Sequence, residues 1–477
     1  MRFVFLSIFL LLSLLAQGQS REFRGAWLHT VFQGQYKSQT TEQNRAYLCR
    51  QLDSLNAAGV NAVIFQVRPQ ADAFYASELE PWSTYLTSGG KAPVPFWDPL
   101  EFMVEECHRR GMELHAWLNP YRVTSNTKQS ASLPASHIAR KHPERFVTYS
   151  GKMYFDPGLP ENREFIGKVV DDIVARYDID GIHFDDYFYP YPVAGKDFPD
   201  SKSYAKYGAG MKLADWRRHN VDLLIEDISK RIKAAKPWVR FGVSPFGIYR
   251  NKRTHPSGSE TSGLENYDAL YADVLLWDRE GWVDYLMPQL YWELDHKAAS
   301  YRVLVDWWND ITPRNHIYIG QDVARTMDKN ELSEKIALVR NRSNISGNCW
   351  WPGYEVTRNR GGVADSLATV HQACRALPPV YTWLSAERPD PVSGLRPVGM
   401  DSFSWKASEP HGRCSDVVKY AVYRFESRSE IDTSMPGALI TVTPDNEFTA
   451  TVGGVYVVTA IDRVNNESEV SAPIVLQ

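Results

Sequence analysis

Residues 179–187 read IDGIHFDDY. Ile182 and Phe184 are apolar and two positions apart, so the segment reads as a β-strand that packs those side chains outward against helices. The same alternation turns His183, Asp185 and Tyr187 to the other side. Asp186 falls on the outward parity unless the strand breaks there. Polar groups on the inner side of an otherwise apolar strand fit a barrel whose chemistry sits at the C-terminal strand ends.

Seven further segments repeat the pattern: Arg24–Val31, Asn61–Pro69, Met112–Pro120, Val239–Gly247, Val283–Trp292, His316–Val323 and Ile345–Tyr354. Between the strands lie amphipathic stretches such as Glu42–Ala58, Pro99–Arg110, Glu161–Tyr177, Leu213–Ala235 and Glu331–Arg342. Eight strands alternating with helices predict an α/β fold, a (β/α)8 TIM barrel over residues 21–377. A doubly wound sheet would also alternate, but no glycine-rich phosphate loop follows the first strand.

The pattern changes near residue 378. Pro378-Pro379 and Pro389-Asp390-Pro391 bracket a linker, residues 378–392. Beyond it, Ser402–Lys406, Lys419–Phe425, Ala438–Val442 and Gly454–Ile461 read as strands without a strong helix. Residues 393–477 are therefore expected to form a small all-β sandwich. Its segment VYVVTAID at 455–462, followed by Asn465-Asn466-Glu467-Ser468, resembles the closing strands of fibronectin type III domains. Such domains space, dock or bind.

At the other end, Met1-Arg2, an apolar run from Phe3 to Leu15 and the small-x-small pattern Ala16-Gln17-Gly18 read as a signal peptide over residues 1–20. The run is shorter than the about 20 residues a spanning helix needs. No cysteine follows it, so the expected product is exported, periplasmic or secreted, and not lipid-anchored. The five cysteines are Cys49, Cys107, Cys349, Cys374 and Cys414, with no C-x-x-C, and they fit neither a zinc site nor a disulfide scaffold. Cys349 and Cys374 are candidates for pairing in an oxidising compartment, though buried thiols are the simpler reading. With Lys+Arg 53 against Asp+Glu 57, the formal net charge is −4, which argues against nucleic acid or an anionic membrane surface as partner.

Inward parity assigns a set of polar and aromatic side chains to the barrel mouth. Strand one offers Trp27 and His29, and strand two Gln66 and Arg68. Strand three offers His115, Trp117 and Asn119, and strand four His183, Asp185 and Tyr187. Strand five offers Ser244, strand six Gln289, Tyr291 and Glu293, and strand eight carries Trp350 and Trp351. An apolar barrel centre tolerates polar groups only if they are paired or functional, and several converging on one rim make a site.

No H-x-H marks a metal-dependent hydrolase and no G-x-S-x-G marks a serine hydrolase. No cofactor or metal is expected. What remains is carboxylates flanked by Trp, Tyr, Asn, Gln, Arg and His. That composition suits a sugar: aromatic rings stack on its CH faces, and planar polar groups bond its hydroxyls. Glycoside hydrolysis uses two carboxyl groups. Asp185 is the leading candidate for nucleophile or base, with Glu293 or Asp186 as acid and Arg68 favouring the ionised form of Asp185 by opposite charge. Trp27, Trp117, Tyr291 and Trp351 are the candidate sugar platforms. Asp156, Asp278, Asp322 and Glu355 lie near the same rim, and parity does not choose among them.

Residues 21 to about 375 resemble the glycosyl hydrolase-like 10 family of bacteria. The resemblance rests on RGAWLHT at 24–30, FQVRPQADAFY at 65–75, HAWLNPYR at 115–122, DGIHFDDYFYP at 180–190, SPFGIYRN at 244–251 and YADVLLWDREGWVDYLMPQLYW at 271–292. It implies a (β/α)8 glycosidase-like barrel, often with an appended β-sandwich, and cleavage of peptidoglycan glycan strands that have lost their stem peptides. The family's strand-four motif falls on Asp185 and Asp186.

DGIHFDDY is also similar to the D-G-x-D-x-D-x-E strand of chitinase-like barrels. His183 and Tyr187 stand where that motif has an Asp and its catalytic Glu, so the usual chitinase route is set aside while N-acetylated sugars stay open. Two functions follow as expectations. One is an exported glycoside hydrolase acting on a cell-wall polysaccharide. The other is a non-catalytic glycan-binding or wall-tethering protein on the same barrel.

Overall fold

A computed structural model describes residues 19–311, 313–409 and 413–477. The apolar run of the expected signal peptide lies outside the described residues. Eight parallel strands close into a barrel in sequential order. They are β1 (Phe23–Leu28), β2 (Ala62–Arg68), β3 (Glu113–Leu118), β4 (Gly181–Phe184), β5 (Arg240–Val243), β6 (Tyr285–Leu286), β7 (His316–Asp322) and β8 (Ile345–Trp351). A β-hairpin, Phe146–Tyr149 with Lys152–Phe155, is inserted after β3.

The helices that cover the barrel start and stop where their sequences say they should. Helix α1 (Thr41–Ala57) opens with a capping box between Thr40 and Gln43. It is followed by Gly59 at φ +85°, a left-handed conformation that favours glycine. Helix α2 (Pro99–Arg109) has proline in its first turn, and the Asp98 carboxylate accepts from the backbone N–H groups of Leu100 and Glu101. Helices α3 (Pro160–Arg176) and α4 (Leu213–Ala235) follow the hairpin and β4. On α4, Val221, Leu224, Ile225, Ile228 and Ile232 are buried at three- and four-residue spacing, the stripe a barrel-covering helix needs.

Inside the barrel, large and small residues alternate between neighbouring strands. Phe23, Trp27, Ile64, Tyr285 and Tyr318 fill the interior as one apolar cluster. Glycines make room for them: a Cβ at Gly242 would lie 2.0 Å from the Tyr285 ring, and one at Gly181 would lie 2.7 Å from the His115 ring.

The C-terminal segment forms two antiparallel sheets. One holds Arg396–Pro397, Ser402–Ser404 and Glu447–Thr449; the other holds Leu439–Thr443, Val417–Phe425, Gly454–Asp462 and Ile474–Leu476, each in spatial order. The turn after Gly454–Asp462 closes the N-terminal end of the barrel. Val464 joins the interior cluster, and Asn465 Nδ2 donates to Glu113 Oε1 at 2.8 Å. Arg240 donates to the Arg463 carbonyl and pairs with Glu113 at 2.5 Å, both side chains about 1% exposed. Among the described residues Cys49, Cys107, Cys349 and Cys374 are free thiols, and no helix is long and apolar enough to cross a membrane.

Candidate active site

A cavity of about 390 Å³ opens at the C-terminal end of the barrel. Its floor is built by strand ends, which are rigid because each is hydrogen-bonded on both sides. Trp27 comes from β1, Trp117 from β3 and Trp351 from β8. The three indoles meet edge to face, with Trp351 5.9 Å from Trp117 and 6.4 Å from Trp27.

β4 ends at Phe184, so the two aspartates that follow are free of strand alternation and both line the cavity. Asp185 Oδ2 accepts from Trp117 Nε1 at 3.0 Å, and both of its oxygens accept from Asn119 Nδ2 at 3.1 Å. The backbone N–H of Tyr187 also donates to it. Burial pushes the Asp185 carboxyl up, and the Arg122 charge and these donors work against that rise. Asp186 is held differently: Tyr191 donates its hydroxyl, and Gln289 supplies a second bond. Burial and the neighbouring Asp185 charge push Asp186 up to about 6. The two carboxyl groups are thus anchored toward opposite neighbours, one on β3 and one on β6.

Below them runs a buried polar column. The Tyr285 hydroxyl bridges His115 at 2.8 Å and His183 at 3.0 Å; His183 Nε2 also meets Ser244 at 2.9 Å and accepts from the Trp27 indole at 3.3 Å. Burial and the nearby His115 hold His183 well below the ordinary histidine value, so it is neutral. Two cavity-lining atoms, Gln66 Nε2 and His29 Nδ1, are buried without a hydrogen-bond partner. Gln66 is oriented by accepting from the backbone N–H groups of Thr30 and Val31, each at 3.0 Å. Its amide therefore points a free donor at whatever fills the cavity.

The structure brings together Trp27, His29, Gln66, Trp117 and Trp351 with Asp185, Asp186, Tyr187, Gln289 and Tyr291. Asn119, His115 and His183 sit beneath or behind this surface; Asn119 holds Asp185, and the histidines belong to the column. Two expected site residues lie elsewhere. A bulge between Gln66 and Arg68 shifts the register of β2. Arg68 therefore grips Glu80 through two bonds, at 2.7 and 2.6 Å, and the cation acting on Asp185 is Arg122. Glu293 lies past the break in β6 at Pro288, half-exposed, and pairs with Lys329 at 3.1 Å. It does not line the cavity.

The other rim carboxylates have structural partners. Asp322 caps a helix through the Arg325 N–H, and Asp278 accepts from the backbone of Arg314 and Asn315. Asp156 accepts from the Gly158 N–H, and Glu355 pairs with Arg360. Parity missed Phe32, Arg122 and Tyr191, which reach the cavity from loops. Arg122 and Tyr191 follow shortly after strand ends, in HAWLNPYR and after DDYFYP, which is the signal that marks them. Among the described residues, no group of three or more His, Cys, Asp or Glu side chains is arranged to hold a metal ion.

A closed parallel barrel with buried carboxyl groups and indoles at its C-terminal mouth defines a glycosidase-type protein. The chain belongs to the glycosyl hydrolase-like 10 family, whose model matches residues 22–335. It is 39% identical over 490 residues to a Bacillus subtilis (strain 168) protein named glycosyl hydrolase YngK, covering 96% of this chain and 94% of that one. It is 40% identical over 327 residues to glycosyl hydrolase DigH of Escherichia coli (strain K12), covering 64% and 74% of the two chains. The glycoside hydrolase domain of PgaB (BpsB) from Bordetella bronchiseptica shares the fold, with TM-score 0.50 and 12% identity over 73% of this chain and 99% of that one.

Proposed function

We propose that the protein is an exported glycoside hydrolase that cleaves bacterial cell-wall polysaccharide, namely peptidoglycan glycan strands lacking stem peptides. The observation that carries this reading is the pair Asp185–Asp186, buried at the floor of an indole-walled cavity and held by different partners. Asp186, with its proton retained up to about pH 6, donates to the leaving glycosidic oxygen. Asp185, held by the Trp117, Asn119 and Tyr187 donors, in its anionic form balances the positive charge that develops at the anomeric carbon. Trp27, Trp117 and Trp351 supply apolar faces for sugar rings, and Gln66 and His29 bond hydroxyls.

The C-terminal sheets support a fibronectin type III-like sandwich that braces the barrel or spaces it from the wall. The apolar N-terminal run supports export, which N-terminal sequencing of the mature protein from a cell fraction tests. A binding-only role is favoured by one observation: among the described residues lining the cavity, Asp185 and Asp186 are the only carboxylates. Incubation with purified peptide-free glycan strands separates the two readings. Soluble fragments with new reducing ends support hydrolysis; saturable binding without fragments overturns it.

A further inference from the structure

We propose that Arg122 binds a free carboxylate carried by a sugar of the glycan, and so sets the preference for strands whose lactyl groups have lost their stem peptides. This rests on the glycosidase reading above and goes beyond it by naming the side chain that tells a peptide-free strand from a substituted one. Removing a stem peptide from its lactyl ether turns an amide into a carboxylate and adds one negative charge. A site that selects for this change needs an unpaired cation beside the sugar. Among the described residues that line the cavity, Arg122 is the only lysine or arginine.

The Arg122 guanidinium is fixed on one edge and free on the other. Its Nε and Nη2 both donate to the Pro69 carbonyl, at 3.3 and 3.1 Å. Nη1 and the second N–H of Nη2, the end of the fork, have no partner among the described residues. The plane lies against the Tyr187 ring, with the guanidinium carbon 4.9 Å from the ring centroid. At its base, the Arg122 backbone N–H donates to Asn119 Oδ1 at 2.9 Å, and the residue forms a β-bridge with Tyr154 of the inserted hairpin. Asn119 is also the residue whose amide holds Asp185, so one side chain sets the guanidinium and the candidate anion relative to each other. The cavity's own carboxyl groups do not occupy the fork. Asp185 is taken by Trp117, Asn119 and Tyr187, and Asp186 by Tyr191. A flat, end-on fork matches the two oxygens of a carboxylate, which a neutral amide cannot reproduce. A fork already held in place also loses little freedom on binding.

The test compares peptide-free glycan strands with the same strands after carbodiimide coupling of their lactyl carboxylates to methylamine, which puts a neutral amide where the stem peptide began. Full-length wild type and Arg122→Gln are assayed for reducing-end release, and their binding to both kinds of strand is measured in parallel. The expected wild-type kcat/KM is at least tenfold higher on the carboxylate strands, and in Arg122→Gln that ratio falls to within twofold of one. Loss of a charge that only acted on Asp185 would slow both strands alike, so the ratio isolates the contact with substrate. Arg122→Lys, which keeps the charge and loses the fork, should lower the ratio severalfold and serves if the glutamine variant does not fold. Equal cleavage of the two strands by wild type, or a ratio that survives in either variant, would overturn the proposal while leaving a glycosidase in place. No cleavage of either strand would instead remove the glycosidase reading, and the same comparisons made by binding then decide the role of Arg122.

Discussion

Trp117 donates its indole N–H to Asp185 Oδ2 across 3.0 Å. That single bond ties the candidate sugar platform to the candidate catalytic anion, because the ring that lines the cavity also sets the direction of the carboxylate. Asn119, two residues on, completes the grip from the same side. Replacing Trp117 by Phe keeps the apolar face and removes the donor. Activity should fall about tenfold or more, with a smaller change in KM than in kcat, as measured by reducing-end release at several glycan concentrations.

Asp186 sets a pH dependence. Its folded value of about 6 lies above the ordinary 3.8, so the folded chain binds this proton more tightly than the unfolded chain. Stability from this group is fully present below about pH 4, declines as pH rises toward 6, and is flat above. Asp186→Asn should therefore flatten the profile and raise the thermal midpoint at pH 7 by a few degrees. In the wild type, kcat/KM should fall on the alkaline side with a midpoint near pH 6, and the variant should lack that limb.

Glu293 gives a control. It is half-exposed and paired with Lys329, and such surface pairs contribute about 0–1 kcal/mol. Glu293→Gln should leave turnover within about twofold of wild type and the thermal midpoint unchanged within a degree or two. A hundredfold loss would place Glu293 back among the reacting groups.

The barrel floor gives a stability prediction. Glu113 and Arg240 are both almost fully buried and paired, with Asn465 completing the contact. Glu113→Gln removes the nearer carboxylate partner of Arg240 and leaves only Asp180, at 3.9 Å, and breaking a buried pair in this way costs about 3–5 kcal/mol. Denaturant unfolding should show that loss, whereas Glu469→Gln, in an exposed pair with Arg388, should show almost none.

Phe32 is 69% exposed and sits at φ +61°, a strained conformation for a residue with a side chain. It lines the cavity mouth beside Tyr85. Phe32→Gly should raise stability by about 1 kcal/mol through relief of that strain, while raising KM for the glycan severalfold. Thermal melts and steady-state kinetics on the same sample check both halves.

The barrel was legible because its strands alternate inside and outside over short runs, as in Ile182 and Phe184 against His183. The site was legible as far as that alternation lasted. It broke at three places for physical reasons. β4 stops at Phe184, which lets Asp186 turn into the cavity beside Asp185. The β2 bulge moves Arg68 onto Glu80. Pro288 has no N–H for the ladder, and a few residues beyond it the chain turns Glu293 toward Lys329. Phe32, Arg122 and Tyr191 sit in loops, where no periodicity assigns a direction. The helix Tyr301–Asp310 and the inserted hairpin also escaped the pattern reading, and neither contributes a residue to the cavity lining.

The central claim is that Asp185 and Asp186 carry out glycoside cleavage. Its most direct test is the rate of fragment release from peptide-free glycan strands by Asp185→Asn, beside its thermal midpoint. The account predicts a loss of about 100- to 10,000-fold with a midpoint close to that of wild type. Wild-type turnover by a folded Asp185→Asn protein would contradict it.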